Sequence, residues 1–202
     1  MVEVLNGSWQ TNMKPVRGFS YICGYCASKA GPSFKYTCEF AGKSAVSTYG
    51  DIYLCPLCNK PTFISKKGEE QIPGPLHGNE VEFLPEDVAH LFNEARRCFA
   101  VNAFTSSVLS CRKLLMNVSV TKGAEAGKRF AFYVTFLEEN HFLPPNSKEW
   151  VDHIRKKGNE ATHEIPSVNQ VDAIELIEFT EMLLRFVYEL PGKMEKYAVK
   201  ST

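Results

Sequence analysis

The sequence lacks any long hydrophobic run. No stretch of its 202 residues approaches the roughly 18 to 20 uninterrupted apolar residues that cross a bilayer. Its first fifteen residues contain neither the basic segment nor the apolar segment of a secretory signal. We therefore expect a protein without a membrane-spanning segment or a secretory signal, and we predict a cytoplasmic location.

The chain also lacks an excess of charge, with 23 basic and 23 acidic side chains. A surface that is basic throughout is excluded, so any contact with nucleic acid must come from a local patch. Dividing the chain near Glu82 leaves both parts close to neutral. No glycine-rich loop followed by Lys-Ser or Lys-Thr is present, which excludes a P-loop nucleotide site. We find no internal repeat and no low-complexity tract.

A disulfide framework is not expected either, because the cysteine count is odd and four of the seven cysteines form two close pairs. This pattern is typical of a metal site in a reducing compartment. Cys38 lies between the pairs and is predicted to be a strand residue. Cys98 and Cys111 fall on apolar helix faces and are predicted to lie in the core.

The two pairs occur in "YICGYC" and "YLCPLC". Two residues between thiolates allow a tight turn to direct both sulfur atoms at one ion, and two such turns supply the tetrahedral four-sulfur set that Zn²⁺ prefers. We predict a structural zinc held by Cys23, Cys26, Cys55 and Cys58. With all four positions filled, the ion has no open site for catalysis. Two alternatives are four buried cysteines without a metal and a redox Cys-x2-Cys motif.

The residues on either side of Glu82 follow different patterns. Before it, "SFKYTCEF", "DIYLC" and "TFISK" carry β-branched and aromatic residues between turn formers and predict short strands. Residues 68–80 contain two prolines and three glycines and predict a linker. We therefore predict an α+β protein, with a small β zinc-ribbon module and linker over residues 1–82 and an all-α bundle of about five helices over residues 83–202.

Helical periodicity begins after Pro85, where Glu86 and Asp87 favour a helix start. Further helices are predicted in "NAFTSSVLSCRKLLMNVSV", "KRFAFYVTFLEEN", "SKEWVDHIRKKGNEATHE" and "NQVDAIELIEFTEMLLRFVYEL". The last of these is apolar on most sides and is predicted to be the most buried helix. Asn169 can cap its start, and Pro191-Gly192 is predicted to end it.

One face of the fourth predicted helix carries Arg155, Asn159 and His163, spaced four residues apart. Lys156 and Lys157 flank this stripe. A guanidinium, an amide and an imidazole in line can bind phosphate, and the imidazole can transfer a proton near neutral pH. An ordinary helix end is the alternative, because cations near a helix C-terminus favour the dipole and Asn and His can cap its last carbonyls.

The whole arrangement resembles a bacterial family of unknown function that occurs alone or attached to type I restriction endonuclease subunits. The four-cysteine ribbon, "LPEDVAHLFNEARRCFAVNAFTSSVLSCRKLL", "IRKKGNEATH" and "AIELIEFTEMLLRFVYEL" carry the resemblance. That family is similar to the HEPN superfamily (higher eukaryotes and prokaryotes nucleotide-binding), which implies a helical bundle that pairs as a homodimer. HEPN ribonucleases carry an Arg, a polar residue and a His. Asn159 and His163 match the last two, whereas Gly158 stands at the Arg position.

Three functions are therefore considered. The first is an accessory module that binds nucleic acid or a protein partner in restriction or phage defence, with Arg155, Lys156 and Lys157 contacting RNA or DNA. The second is a metal-independent endoribonuclease, in which His163 is the general acid or base, Asn159 fills the family's polar position and Arg155 steadies the phosphate. The third is a structural dimerisation adaptor.

Overall fold

The chain folds into two compact units, Met1–Leu76 and His77–Thr202. The computed structural model describes residues 7–9, 14–41, 46–66, 68–144, 149–154 and 168–198. The first unit is built from β-strands and the second from helices, so the predicted α+β class is confirmed. Across the described ranges, no helix combines the length and the apolar character needed to traverse a lipid bilayer.

The first unit is an antiparallel β structure. Its main sheet has the order β1-β5-β6-β7-β8, with β2 also paired to β5, and β3 pairs with β4 in a separate two-stranded ribbon. The three longest strands overlap the three segments predicted from β-branched and aromatic residues, although β6 begins five residues before its predicted segment. The strands are β1 (Gly7–Trp9), β2 (Lys14–Pro15), β3 (Tyr21–Ile22), β4 (Lys29–Ala30), β5 (Phe34–Ala41), β6 (Val46–Leu54), β7 (Pro61–Ser65) and β8 (Gln71–Ile72).

The second unit is a helical bundle whose described helices follow the predicted order. Its first helix starts directly after Pro85, where the acidic residues Glu86 and Asp87 fill the first turn. The helices are α1 (Glu86–Ala100), α2 (Phe104–Thr121), α3 (Phe130–Glu139), α4 (residues 149–154), α5 (Gln170–Leu184) and α6 (Leu190–Ala198), with a π-helical turn, Arg185–Glu189, between α5 and α6.

Helix α5 is extensively buried in the bundle core, as its sequence predicts. Ile177, Phe179 and Leu183 on this helix are fully buried, and Trp150 of α4 packs edge-on against Phe179. Asn169 caps the helix, because its side chain accepts the backbone N–H of Asp172 and the Asp172 carboxylate accepts the Asn169 N–H. Most of the helix's stability comes from this buried apolar surface rather than from intrinsic propensity.

The predicted end of the last helix at Pro191-Gly192 is wrong, because helical structure continues to Ala198. The ladder first widens into the π turn, where the Leu190 N–H donates to the Arg185 carbonyl five residues back. Pro191, which has no N–H to donate, follows this widened turn directly as the second residue of α6. A proline that would break a continuous α-helix is therefore accommodated.

Residues 77–82 form an extended strap that is hydrogen bonded to the helices of the second unit. Arg96 of α1 is 3 % exposed, and its guanidinium donates to the carbonyls of His77 and Gly78 at 3.0 and 2.8 Å. On the other side, the Glu181 carboxylate accepts the backbone N–H of Asn79 at 2.8 Å and its side-chain amide at 3.2 Å. These bonds satisfy polar groups of a segment that has no secondary structure of its own.

A second cluster of charges continues along the same strap. Arg185 donates to Glu181 at 2.9 Å, to Glu189 at 2.6 Å and to the carbonyl of Glu80 at 3.1 Å. Glu189 is 5 % exposed and also binds Lys193. The hydrogen bond donated by Lys193 lowers the pKa of the Glu189 carboxyl, and this effect outweighs the burial of Glu189, which by itself would raise that pKa. The buried carboxylates are thus paired and hydrogen bonded, which is the condition for holding charge away from water.

The strap makes the stability of the second unit depend on pH. Burial alone would raise the pKa of Glu181, but the donations from Asn79 and Arg185 outweigh it and lower the pKa. A carboxyl whose pKa is lower in the folded state stabilises the protein at pH values above its unfolded-state pKa of about 4.3. This stabilisation is lost as the pH falls from that value through the folded-state pKa. We expect Glu181→Gln to reduce the free energy of unfolding at pH 7 and to flatten its decrease between about pH 5 and pH 3.

Urea unfolding followed by circular dichroism at several pH values measures this effect. Glu195→Gln on α6 is the matched control, because Glu195 is exposed and its replacement should leave both the stability at pH 7 and the pH slope unchanged. An equal slope for Glu181→Gln and the native chain would contradict the assignment.

Candidate metal centre

The four predicted cysteine ligands converge on one point in the first unit. All four sulfur atoms of Cys23, Cys26, Cys55 and Cys58 lie within 4.8 Å of one another. The Cys23 and Cys58 sulfurs are 3.7 Å apart, and those of Cys26 and Cys55 are 3.8 Å apart. These separations are far longer than a disulfide bond of about 2 Å, and all four cysteines are free thiols.

The sulfur separations fit a tetrahedral metal ion. A Zn–S distance of about 2.3 Å in a regular tetrahedron places neighbouring sulfurs about 3.8 Å apart. Both short separations join the first cysteine of one pair to the second cysteine of the other, so the two pairs face each other. The set of donors consists of sulfur alone, which suits a soft or borderline-soft ion. The geometry can therefore hold one metal ion with four thiolate ligands.

Each cysteine pair is positioned by the same backbone turn. In the first turn, the Cys23 carbonyl accepts the Ala27 N–H at 2.9 Å; in the second, the Cys55 carbonyl accepts the Asn59 N–H at 2.8 Å. Ala27 and Asn59 both have a left-handed backbone, with φ of 56° and 57°. We call these two segments, residues 23–28 and 55–60, the knuckles. In both, the first cysteine is buried and the second is partly exposed.

A layer of aromatic side chains supports the knuckles. Tyr21 and Tyr53 each precede the first cysteine of a pair by two residues, and both are buried. Phe19 lies near both rings, with its centroid 4.7 Å from that of Tyr53 and 6.1 Å from that of Tyr21. This layer was not predicted from the sequence. Its signal is the shared position of the tyrosines in "YICGYC" and "YLCPLC", which a search for long repeats overlooks.

Polar contacts hold the aromatic layer on the sheet. The Tyr53 hydroxyl donates to Asp51 at 3.2 Å, and Asp51 also binds Lys35 at 2.7 Å and the Thr37 hydroxyl at 2.7 Å. Burial and the Asp51 charge raise the pKa of the Tyr53 phenol, so this hydroxyl stays a proton donor at neutral pH. The result is a rigid support behind the second knuckle.

The thiols differ in their electrostatic environments. Burial raises the pKa of the Cys23 thiol to about 12, whereas the Ser28 backbone N–H lowers the pKa of Cys26 to about 6. The Tyr25 N–H also points at the Cys23 sulfur, at 3.5 Å. Metal binding requires thiolates, so a bound cation would displace the protons of the buried thiols.

Gly24 allows the first knuckle to pack against the segment that follows β8. A Cβ atom at Gly24 would lie 2.3 Å from the Gly74 carbonyl oxygen and 2.7 Å from that of Pro73, and both are backbone atoms that cannot rotate away. We expect Gly24→Ala to destabilise the first unit by roughly 1 to 3 kcal/mol, as for other overpacked sites, and to weaken metal retention.

Chelator competition and thermal unfolding measure these two effects. The matched control is Pro56→Ala, since Pro56 occupies the equivalent position of the second knuckle and is exposed. This variant should keep native stability and metal retention within error. Equal behaviour of the two variants would show that the close approach at Gly24 is not required.

The other predicted site residues lie outside the residues that the structure describes: Arg155, Lys156, Lys157, Gly158, Asn159 and His163. Cys38 lies in strand β5, as predicted, and is buried there. The prediction that Cys111 lies in the helical core is confirmed, whereas the same prediction for Cys98 is wrong, because Cys98 is partly exposed.

The fold and the four-cysteine cluster define a two-unit α+β protein whose β unit carries four thiols in a zinc-ribbon-like arrangement that can hold a metal ion. Residues 93–200 match the model of a family described as "Domain of unknown function (DUF4145)". Because the match covers more than half of the chain, the protein belongs to this family. The match lies within the helical unit and does not include the four cysteines. No curated protein and no solved structure matches the chain.

Proposed function

We propose that this protein is a cytoplasmic accessory module that binds nucleic acid through a β unit held together by a structural zinc ion. The observation that carries the proposal is the convergence of four thiols with the sulfur spacing of a tetrahedral zinc site. Zinc in such a site organises a surface and does no chemistry of its own, because no ligand position is left for water or substrate. A site of this kind therefore supports a binding function for the β unit.

The charge of the β unit favours nucleic acid as the partner. Residues 1–76 contain eight basic and five acidic side chains. One of the acids, Asp51, is neutralised by Lys35. This excess of basic residues largely disappears when the sequence is divided at Glu82. That division assigns Glu80 and Glu82 to the first part, although both belong to the strap of the helical unit. Among the described residues of the β unit, the exposed cations include Arg17, Lys29 and Lys60.

The resemblance to restriction-associated proteins adds the biological setting of the proposal. We infer a role in restriction or phage defence, with the helical unit mediating a homodimer or attachment to a defence protein. Neither role requires the chain to cleave its target.

Anisotropy titrations with fluorescein-labelled RNA and DNA test the binding function. The zinc-loaded full chain should bind at 50 mM salt, and contact with about three phosphates of a single strand should weaken binding by about 20-fold at 200 mM salt. Removing zinc with a chelator should abolish binding, because the β unit then loses its fold. Absence of binding at 50 mM salt to every nucleic acid tested would overturn the proposal and favour the adaptor function.

A further inference from the structure

The main sheet has two faces of different chemistry. Residues directly opposite each other on paired strands share a face. Asp51 and Tyr53 lie on the face that supports the knuckles, as do their register partners Thr37 and Lys35. The other face carries the row Tyr36, Ile52, Phe63 and Ile72, which the register aligns across four strands.

This second face is apolar, aromatic and open. We call it the open face and define it by Phe34, Tyr36, Ile52, Leu54, Phe63 and Ile72. Phe34 is 50 % exposed, Leu54 41 % and Ile72 36 %. Single exposed apolar residues are ordinary, but a contiguous group on adjacent strands marks an interaction site.

The Phe63 ring of the open face lies flat against the sheet. Gly50 has no side chain, and a Cβ atom there would lie 2.5 Å from the Phe63 ring. The Phe63 ring therefore lies across β6 instead of standing away from the sheet. It stacks on Tyr49, with ring centroids 5.8 Å apart and an angle of 28° between the rings. Tyr49 is itself 51 % exposed.

Two exposed lysines, Lys60 and Lys66, stand immediately before and after β7, the strand that carries Phe63. The Lys60 ammonium lies over the Tyr25 ring of the first knuckle, 5.0 Å from its centroid, so Lys66 is the cation left for the end of the open face. A strand of this length separates them by about 20 Å. The described register positions of the open face itself hold no acidic residue. Flat aromatic surfaces bordered by cations bind single-stranded nucleic acid, because bases stack on rings while phosphates meet the charges.

We propose that the open face is a stacking platform for two or three bases of single-stranded nucleic acid, with Phe34 and Phe63 as stacking residues and Lys66 contacting the backbone. This inference rests on the proposed nucleic-acid binding and adds its location and the class of ligand. Duplexes should bind poorly, since their bases are already stacked on one another and cannot lie on the protein rings.

The test uses the zinc-loaded full chain and fluorescein-labelled 12-mers of uridine and of deoxythymidine, with a 12-base-pair DNA duplex for comparison. We expect Phe34→Ala to weaken binding of both single strands about tenfold. The factor should be equal at 50 and 200 mM salt, because no charge is lost. Lys66→Gln should instead reduce the salt dependence. Phe34→Trp should retain the affinity of the native chain.

Leu57→Ala is the matched control, because Leu57 is a 66 % exposed apolar residue of the same unit that lies on a knuckle. It should bind like the native chain, and all variants should retain zinc. If the native chain binds single strands but Phe34→Ala binds equally well, the platform is wrong while the general binding function stands. Preferred binding of the duplex would also overturn the platform. A Phe34→Ala variant that changes from dimer to monomer in sedimentation, with unaltered nucleic-acid affinity, would assign the face to a second copy of the chain.

Discussion

Replacing Cys55 by serine is expected to abolish metal binding and to unfold the β unit. Cys55 is fully buried and lies 3.8 Å from the Cys26 sulfur. A structural zinc contributes about 10 to 16 kcal/mol of apparent binding free energy at neutral pH. This is as large as the usual net stability of a whole domain, about 5 to 15 kcal/mol. A unit of 76 residues is near the size at which an apolar core alone is marginal. Loss of one ligand should therefore remove its fold.

Metal content after gel filtration and limited proteolysis measure the two consequences. The native chain should carry about one zinc per chain, and the Cys55→Ser variant should carry almost none and be cleaved rapidly within residues 1–76. Cys38→Ser makes the same substitution at a buried cysteine of the same unit and should retain the metal. The assignment is wrong if Cys55→Ser binds zinc as fully as Cys38→Ser does.

Replacing Arg96 by methionine is expected to destabilise the helical unit strongly, although Arg96 is a polar residue. Methionine fills most of the volume of the arginine stem, but it leaves the carbonyls of His77 and Gly78 without their donors. Each buried acceptor left unpaired costs about 1 to 3 kcal/mol, so a total loss of about 3 kcal/mol is expected. For a unit of this size, that corresponds to a decrease in Tm of roughly 10 °C.

Arg97 provides the control for this prediction. It is the next residue on the same helix, but it is exposed, and Arg97→Met should change the Tm by no more than a degree or two. Thermal unfolding followed by circular dichroism compares the two variants. Similar Tm values would show that the strap is not held by the Arg96 guanidinium.

The bonds from Arg96 also show what sequence patterns do not reveal. In the sequence, Arg96 is one of two adjacent arginines in "EARRC", and nothing local distinguishes it from Arg97. The helical period places Arg96 next to the apolar stripe, yet its burial follows from the strap that crosses it. The acceptors lie 18 and 19 residues earlier in the chain, a separation at which no spacing rule applies.

The convergence of the four cysteines could be predicted because their chemistry is encoded locally. Two cysteines with two residues between them share one turn, and four thiols in a short β region have few uses other than metal binding. The three main strands and the helical order were likewise accessible from periodicity. The tyrosine layer behind the knuckles was missed because aromatic residues in strands are common and only the assembled sheet shows that Tyr21 and Tyr53 meet at Phe19.

The sequence by itself determined the α+β class, the order of elements, the cysteine ligands and the capped, buried helix α5, because each depends on residues that are close along the chain. Tertiary structure alone decided the burial of Arg96, the passage of the helix through Pro191 and the separation of the sheet into a supporting face and an open face. The burial of Arg96 depends on carbonyls that are distant in the sequence, the continuation of the helix depends on the widened π turn, and the two faces of the sheet depend on strand register. Such relations arise only when segments far apart in sequence pack together, since burial and hydrogen bonding depend on neighbours in space rather than along the chain.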